Sequence, residues 1–553
     1  MAANREAVEL PPQGNTPANT PKTTTSSGPG TVEPSPNTAS DEALVKSIVR
    51  KYDVRILPLI FLAWVLFYLD RAAIALTRVN GMEADLRLTG AQFNISLMLF
   101  FAMYVIFNIP GNLLLRKVGG GRFLPCIVLA WGLVTTFSGF VTDFATLCVT
   151  RVLLGLSESA FLGVVMLYLT FFYTEFEIVS RVGLFYSGNA LAGAFGGFLA
   201  TGLSKIRFRR YNGWPWIFFV EGIITVLVGL VMVVVLPNKP QTAKFLSTEE
   251  RVIAVERMLS VNRRQENPHR PSADRESRKT IARGRVDEAG QPIVRSDRLT
   301  LAVARRAILN PVTVMLVLAT FMTLVALNSF SLFLPTLILA MGHTGIKLNL
   351  MTVPPNLVAF VFVIAATQYS QLSGRKAVPM LVAGVVATAG YLLLLVGSRV
   401  GREEDVMGPG GPRMSAAAGA VQYAGTFLVA IGVNVIPPIA LAWTCINASP
   451  HYVRALVLGA LTTFGNTSAF VSSFTYIKTE APRYTTGHAI NFACCVTLVT
   501  VAASLIAYML AENKRRGRGE RDYRLESGPS EGVEKELFEL ELGWMHPSHR
   551  FQL

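Results

Sequence analysis

The sequence has few of the residues from which soluble proteins and enzymes build their sites. Only 5 of its 553 residues are cysteine, 6 are histidine, and charged residues make up 16% of the chain. The cysteines form no CxxC pair and no paired loop framework, which argues against a disulfide scaffold and a zinc site. Walker loops, zinc motifs and nucleophile elbows are also missing from the sequence, so we expect no enzyme activity, no metal and no cofactor.

The start of the chain lacks a cleavable signal peptide. Residues 1–40 are rich in Pro, Thr, Ser, Asn and Gly. They contain no apolar core, whereas a signal peptide has one. Burial of so little apolar surface cannot offset the conformational entropy that the segment would lose on folding. We therefore predict a disordered cytoplasmic tail over residues 1–50. The first membrane span must then direct insertion itself.

Apolar residues, in contrast, are abundant. They make up 51% of the chain, and the mean hydropathy is +0.43, a balance typical of polytopic membrane proteins. Runs of about 20 apolar residues are long enough to cross a bilayer as helices. The sequence contains twelve, at 54–76, 94–115, 123–140, 144–168, 181–203, 215–236, 312–340, 348–369, 377–397, 416–443, 454–476 and 488–511.

The twelve runs fall into two sets of six. We expect one helical bundle over residues 51–236 and another over 311–511, with a cytoplasmic middle loop at 237–310 and a cytoplasmic tail at 512–553. Weak internal repetition supports duplication: the run at Gly121-Arg122 matches that at Gly374-Arg375, and Gly188-Asn189 matches Gly465-Asn466. An all-α membrane protein of twelve helices in two six-helix bundles is the organisation of the major facilitator fold.

Lysine and arginine predict the orientation. Both termini, the middle loop and the 374–376 turn carry most of these residues and are assigned to the cytoplasm. The basic loop at 205–210 disagrees and falls on the outside. Basic cytoplasmic loops account for the net charge of +15, so we expect no nucleic acid as a partner. The apolar runs predict a surrounding lipid bilayer.

Two of the apolar runs each contain a pair of charges: Asp70 and Arg71 in the first, Arg151 and Glu158 in the fourth. Charges at membrane depth cost about 2.5–3.5 kcal/mol each on insertion scales, so they mark either a function or a structural need. Arg151 and Glu158 share one helix face but are separated by roughly 10 Å along the axis. They cannot neutralise each other, and each needs a partner elsewhere.

Several short runs of the first half match a known family. They are Arg55-Ile-Leu-Pro-Leu, Tyr68-Leu-Asp70-Arg71, Leu88-Thr-Gly-Ala-Gln-Phe-Asn94, Asn108-Ile-Pro-Gly-Asn112, Arg151-Val-Leu-Leu-Gly-Leu-Ser-Glu158 and Gly213-Trp-Pro-Trp216. On these runs the chain resembles the anion:cation symporter family of the major facilitator superfamily, in particular its fungal allantoate, nicotinate and pantothenate permeases. The resemblance implies a carrier that imports a small organic anion with protons by alternating access, with the proton gradient as its energy source.

The resemblance also implies roles for individual residues. Asp70 and Glu158 match the protonatable groups, while Arg71 and Arg151 match arginines that partner the aspartate or receive the substrate carboxylate. We predict that Asp70 pairs with Arg151 and that Arg71 and Glu158 face the cavity. The alternative is a buried salt-bridge network that braces spans one and four. Three further residues match positions near the cavity of relatives and are interpreted as substrate-binding: Tyr68, Tyr104 and Asn466. Packing or interfacial anchoring is the alternative for the tyrosines, and an interhelical hydrogen bond is the alternative for Asn466.

The sequence departs from the family at two places. After Arg71 the family has Ser-Asn-Ile-Gly-Asn, whereas this chain has Ala72-Ala73-Ile-Ala-Leu76 and loses two amides. After Glu158 a usual proline is missing, which changes where span four could bend. Glu221 is interpreted as a brace of span six, and His488 as a surface residue near an outer loop.

Other functions stay open at this stage. The same scaffold could export a fungal secondary metabolite, or the chain could be a nutrient sensor that does not transport, although it has no large folded tail domain. A channel is disfavoured because no filter-like loop is present. We expect a monomer in the plasma membrane.

Overall fold

The computed structural model describes residues 36–89, 91–208, 211–255, 257, 301–400, 406–408, 411–413, 415–448, 451–526, 545–547 and 549–552. The first 35 residues, residues 258–300 of the predicted middle loop and residues 527–544 of the predicted tail lie outside these ranges. The chain divides into two compact units, Met1–Lys46 and Ser47–Leu553. The helices from residue 47 onward, the central cavity and its side-chain contacts lie in the second unit.

The first half of the chain is helical. A helix already covers residues 36–50, which we expected to be disordered, and a π-helical turn at Arg78–Met82 follows the second helix. The helices are α1 (Pro36–Arg55), α2 (Leu57–Thr77), α3 (Glu83–Asp85), α4 (Gln92–Val118), α5 (Gly120–Ser138), α6 (Phe144–Glu158), α7 (Phe161–Leu169), α8 (Glu175–Leu203) and α9 (Pro215–Val235).

The second half repeats this arrangement. Its helices are α10 (Leu301–Ile308), α11 (Pro311–Ala340), α12 (Gly345–Met351), α13 (Val353–Leu372), α14 (Ala377–Gly397), α15 (Ala416–Asn447), α16 (His451–Ser473), α17 (Thr485–Gly517) and α18 (Tyr523–Glu526). Short 3-10 turns lie at Pro240–Thr242 and Lys478–Glu480.

The strands of the described structure form two antiparallel hairpins. β1 (Arg207–Phe208) pairs with β2 (Tyr211–Asn212), with Arg207 opposite Asn212. β3 (Val406–Gly408) pairs with β4 (Gly411–Arg413), with Val406 opposite Arg413. Both hairpins lie in loops between long helices.

Each of the twelve predicted spans falls on a long helix or on two successive shorter ones. Within the described residues, nine helical stretches are long and apolar enough to cross a membrane, and Gln92–Asn108 is a shorter apolar helix. The predicted all-α membrane architecture is therefore confirmed. Span four is interrupted at Ser159–Ala160 without a proline: α6 ends at Glu158 and α7 begins at Phe161.

Local sequence sets several helix starts. At α6 the Asp143 carboxylate accepts a hydrogen bond from the Thr146 backbone at 2.8 Å, while the Thr146 hydroxyl faces the Asp143 N–H. Ser247 and Glu250 also form a capping box, with reciprocal bonds of 2.9 and 3.2 Å, and residues 248–255 are helical. These side chains satisfy amides that a helix start leaves unpaired.

We call the end that carries Lys51, Lys239 and Lys514 the inner end, since it is predicted to be cytoplasmic, and the opposite end the outer end. At the outer end the two halves meet. Asn80 and Asn349 exchange reciprocal amide hydrogen bonds of 3.0 and 3.2 Å. Nearby, Asn94 of α4 donates to the Ser473 carbonyl at 2.6 Å, and Lys478 contacts Glu83 at 2.6 Å. These polar contacts close the outer end between the halves.

Candidate functional site

A central cavity lies between the two halves. It contains about 680 Å³ of empty space, counting the part open to solvent. The first half contributes one guanidinium, aromatic rings and an amide, and the second half contributes amides and hydroxyls. The polar and aromatic residues of the lining are Tyr68, Arg71, Phe101, Asn189, Asn328, Phe330, Ser331, Thr352 and Asn356. Arg71 is the one charged side chain in this described lining.

Arg71 reaches from the cavity wall into the first half. Its guanidinium carbon lies 4.2 Å from the ring centre of Phe67 and 4.7 Å from that of Tyr104, close enough for cation–π attraction. Its Nε donates to Glu158 Oε2 at 3.4 Å, whereas its buried Nη2 has no acceptor among the described residues. The side chain is 15% exposed. One guanidinium thus touches both the cavity and a buried carboxyl.

Glu158 and Asp70 form a buried pair behind Arg71. Glu158 is fully buried and Asp70 is 1% exposed, and their carboxyls lie within hydrogen-bond reach of each other. Thr135 of α5 donates to Asp70 Oδ2 at 2.8 Å, while Asp70 Oδ1 and Glu158 Oε1 have no described partner. Two carboxyls in contact cannot both be ionised at low cost, so the pair is suited to hold one proton between them.

The pairing differs from the one we predicted. Arg71, not Arg151, makes the ion pair, and its partner is Glu158; Asp70 and Arg151 interact electrostatically without an ion-pair contact. Glu158 does not line the cavity and meets it only through Arg71. The physical reason is that α6 packs against α4 and α5, which brings Glu158 within reach of the Arg71 side chain of α2.

Gly155 makes this packing possible. A Cβ atom at this position would lie 2.3 Å from the Phe100 carbonyl oxygen of α4. Only glycine therefore lets the backbones of α6 and α4 approach this closely, as small residues do where membrane helices cross. The close crossing places Glu158, one turn further on, against the guanidinium of Arg71.

Arg151 lies deeper than its predicted substrate-binding role requires. It is 2% exposed, does not line the cavity, and its Nε and Nη2 find no acceptor in the described structure. Its guanidinium carbon lies 5.5 Å from the ring centre of Phe218 on α9. Arg151 therefore belongs to the buried charge cluster and not to the cavity wall.

Glu221, which the sequence analysis interpreted as a brace of span six, belongs to the same buried charge cluster. It is 1% exposed, its Oε1 has no described partner, and it interacts electrostatically with Asp70, Glu158 and Arg151. Phe218 and Glu221 are three residues apart and share a face of α9, which is the face toward Arg151. A carboxylate inside the apolar run at 215–236 was the available signal. The cluster thus holds three carboxyls and two guanidiniums.

Of the other predicted residues, one lines the cavity and two lie outside its lining. Tyr68 lines the cavity, whereas Tyr104 is 1% exposed and packs against Arg71. Asn466 lies on α16 outside the described lining, and its buried Nδ2 has no described partner. Asn189 was noted only as part of a repeat, yet it lines the cavity and donates to Asn434 of the second half at 2.8 Å.

His488 corrects another expectation. It is fully buried and not at the surface, and its Nδ1 lies 3.1 Å from the Tyr476 hydroxyl. Asn491 also donates to that hydroxyl at 3.3 Å. Because α17 begins at Thr485, His488 is already within the helix and faces the protein interior.

Paired helical halves, a cavity between them and buried charges at its wall define a membrane transporter. The profile of the Major Facilitator Superfamily matches residues 60–473, and the chain belongs to that superfamily.

Known proteins of similar sequence are transporters of fungi. The chain is 28% identical to an uncharacterized transporter of Schizosaccharomyces pombe, over 89% of this chain and 88% of that protein. It is 29% identical to the MFS-type transporter cnsO of Penicillium expansum, over 90% of each chain. Among solved structures, the xylose transporter XylE of E. coli in a partially occluded inward open conformation matches with a TM-score of 0.57 at 13% identity, over 81% of this chain and 97% of that one. That likeness concerns the fold alone.

Proposed function

We propose that this protein is a secondary transporter that moves a small organic anion together with protons by alternating access. The observation that carries the proposal is the double contact of Arg71, which lines the cavity and also meets the buried Glu158 carboxyl at 3.4 Å. An anion that draws the guanidinium toward the cavity weakens its hold on Glu158. Proton binding and anion binding are thereby coupled through one side chain.

The charge of the cluster supports this coupling. Three carboxyls and two guanidiniums carry a net charge of −1 when all are ionised, so an empty site becomes neutral with one proton. A bound monoanion adds another negative charge at low dielectric, where uncompensated charge is costly. A second proton offsets it, and we expect the loaded carrier to move one proton with each monoanion. By linkage, proton and anion then favour each other's binding.

We also propose that the protein belongs to the anion:cation symporters, because its motifs around Asp70-Arg71 and Arg151–Glu158 resemble those of that family. The cavity differs from that family's pattern at Ala72, which lines it where an amide-rich stretch is usual. We therefore propose a carboxylate substrate of vitamin or nitrogen-source type and carry over no individual compound. We propose the plasma membrane as its location, which fluorescence microscopy of the tagged protein tests.

A comparison of metabolites inside and outside cells tests the direction of transport. A strain that lacks the protein should accumulate less of one organic acid than its parent if the protein imports that acid. Retention of an acid inside the deletion strain would instead indicate export, and the import proposal would then be wrong.

Reconstituted protein tests the coupling. In liposomes with an acidic outside we expect accumulation of the identified carboxylate but not of its neutral amide, nicotinate and nicotinamide being one such matched pair. Glu158→Gln should abolish accumulation driven by the pH gradient and leave exchange of labelled for unlabelled substrate intact, because the glutamine mimics the protonated side chain. Full pH-driven accumulation by the variant would disprove the proton role of Glu158.

A further inference from the structure

Residues 549–552 lie in a groove at the inner end of the second half, between α15 and α17. Gln552 is held by α15: its carbonyl accepts from Trp443 Nε1 at 2.7 Å and from Asn447 Nδ2 at 3.1 Å. The Gln552 N–H donates to Asn447 Oδ1 at 2.9 Å. A single asparagine side chain thus pairs with both backbone groups of one residue.

Phe551 is held by α17 in the same manner. Its N–H donates to Asn513 Oδ1 at 2.9 Å, and its carbonyl accepts from Asn513 Nδ2 at 2.8 Å. Consecutive residues of an extended segment present their backbone groups to opposite sides, so Phe551 faces α17 and Gln552 faces α15. The segment therefore bridges the two helices.

An aromatic anchor completes the contact. The Phe551 side chain is 4% exposed and packs in the hydrophobic core of the second half, and the Arg516 guanidinium carbon lies 4.6 Å from its ring centre. Arg516 also donates to the His549 carbonyl at 2.9 Å. Backbone pairing with a pocket for one side chain is how proteins recognise extended peptides.

The groove lies beyond a weak point of α15. Pro437 and Pro438 lie inside this helix, where each removes a backbone hydrogen bond and permits bending. Asn434, before the prolines, accepts a bond from Asn189 of the first half. The helix contacts α8 of the first half, and Cys445, after the prolines, lies near Tyr186 of α8. The part of α15 that the segment holds therefore faces the other half at the inner end.

We propose that the groove formed by Trp443, Asn447, Asn513 and Arg516 is a peptide-docking site whose occupant is the chain's own segment 549–552. Docking ties the inner part of α15 to α17 and restrains its movement away from α8. The site is separate from the central cavity. Cys445 alkylation and peptide binding can therefore be measured without a transport assay.

Alkylation of Cys445 tests the restraint. In native membranes treated with N-ethylmaleimide, modification of Cys445 can be followed by mass spectrometry of its peptide. Phe551→Ala should accelerate the reaction about fivefold or more, the range of a typical coupling free energy. Gln552→Ala is the matched control, because the described contacts of Gln552 use its backbone and its side chain is exposed; it should react like the wild type.

Asn513→Ala removes one backbone clamp without emptying the apolar pocket, and we expect it to accelerate alkylation as well. It also serves as the second variant if Phe551→Ala does not reach the membrane. Wild-type rates in a folded Phe551→Ala or Asn513→Ala protein would overturn the restraint.

A labelled synthetic peptide of residues 545–553 tests the docking itself. It should bind the full-length Phe551→Ala protein in nanodiscs, whose own segment is weakened, and bind the wild type far less because its groove is occupied. A peptide with alanine in place of Phe551 should not bind either protein. Equal binding of the native peptide to wild type and variant, or no binding to the variant, would overturn the proposed site.

Discussion

Arg71 is surrounded by aromatic carbon as much as by charge. Besides Phe67 and Tyr104, the rings of Tyr68, Phe100 and Phe101 lie within 6 Å of its guanidinium carbon. Its 3.4 Å contact with Glu158 is long for a charge-assisted hydrogen bond, which is typically about 2.7–2.9 Å. The rings surround the guanidinium and its Nη2 has no acceptor among the described residues, which fits the proposed binding and release of an anion.

Glu221 should influence the pH dependence of uptake. Glu221→Gln removes one negative charge from the cluster, so the remaining carboxyls face two guanidiniums and give up protons more readily. The pH of half-maximal uptake should then move lower by about one unit, since a unit corresponds to about 1.4 kcal/mol of charge interaction. Uptake by reconstituted protein at external pH 4–8 measures this shift. An unchanged profile in a well-folded variant would mean that Glu221 carries no charge during transport.

The residues of the site could be found from the sequence, but their partners could not. Asp70, Arg71, Arg151 and Glu158 stand out because charges in apolar runs are rare. Which arginine meets which carboxyl depends on how deeply α6 packs against α4, and that is set by the contact of Gly155 with a backbone oxygen. Such a contact has no signature beyond the glycine itself.

At the scale of the helices, the crossing of α6 and α4 should tolerate no added methyl group. Gly155→Ala places a Cβ 2.3 Å from the Phe100 oxygen, so the helices must separate; overpacking of this kind costs about 1–3 kcal/mol. Thermal unfolding in detergent should show a lower midpoint. Gly202→Ala in α8 is the control, because a Cβ there meets nothing within 4 Å. Equal midpoints for both variants would contradict the close crossing.

Docking of the segment 549–552 should weaken in acid. Burial, reinforced by nearby Arg516, His546 and Arg550, lowers the pKa of His549 from 6.5 to about 4. A lowered pKa means that docking is strongest above pH 6.5 and is lost progressively as the pH falls toward 4. The labelled peptide should therefore bind the Phe551→Ala protein about tenfold more weakly at pH 5.5 than at pH 7.5. A peptide with glutamine in place of His549 should lose this dependence, and a pH-independent native peptide would contradict it.

Helix positions were the most predictable elements. Each of the twelve spans predicted from hydropathy falls on helix, because a bilayer demands about 20 apolar residues in each span. The interruption at Ser159–Ala160 was not, because neither proline nor glycine marks it. The docked segment could not be predicted either, since Asn447 and Asn513 are separated from the residues they bind by 105 and 38 positions along the chain.

At the scale of the whole molecule, the two halves meet through few polar contacts at the outer end. The Asn80–Asn349 pair has two hydrogen bonds, each worth about 0.5–1.5 kcal/mol net. A closure of this strength can be reversed by ligand binding, as alternating access requires. The superfamily and its fold followed from the spacing of spans, whereas the conformation depends on these pairs, which join residues 269 positions apart.

Removing this amide pair should favour the outward-open state. Spin labels at the exposed Thr89 and Thr479 of a cysteine-free protein report the distance between the halves at the outer end. Asn80→Ala or Asn349→Ala should each increase the fraction of long distances, and the double variant should add little, because either substitution already removes the reciprocal pair. Unchanged distance distributions in both single variants would show that the pair does not hold the outer end closed.

The docked backbone of Phe551 and Gln552 has a practical consequence for handling the protein. A purification tag or fluorescent reporter fused behind residue 553 would begin next to the two asparagine clamps and could pull the segment from its groove. The same label fused before residue 1 is attached at the opposite end of the sequence from those contacts. Comparing the two fusions by Cys445 alkylation would show whether a common laboratory choice alters the behaviour of the carrier.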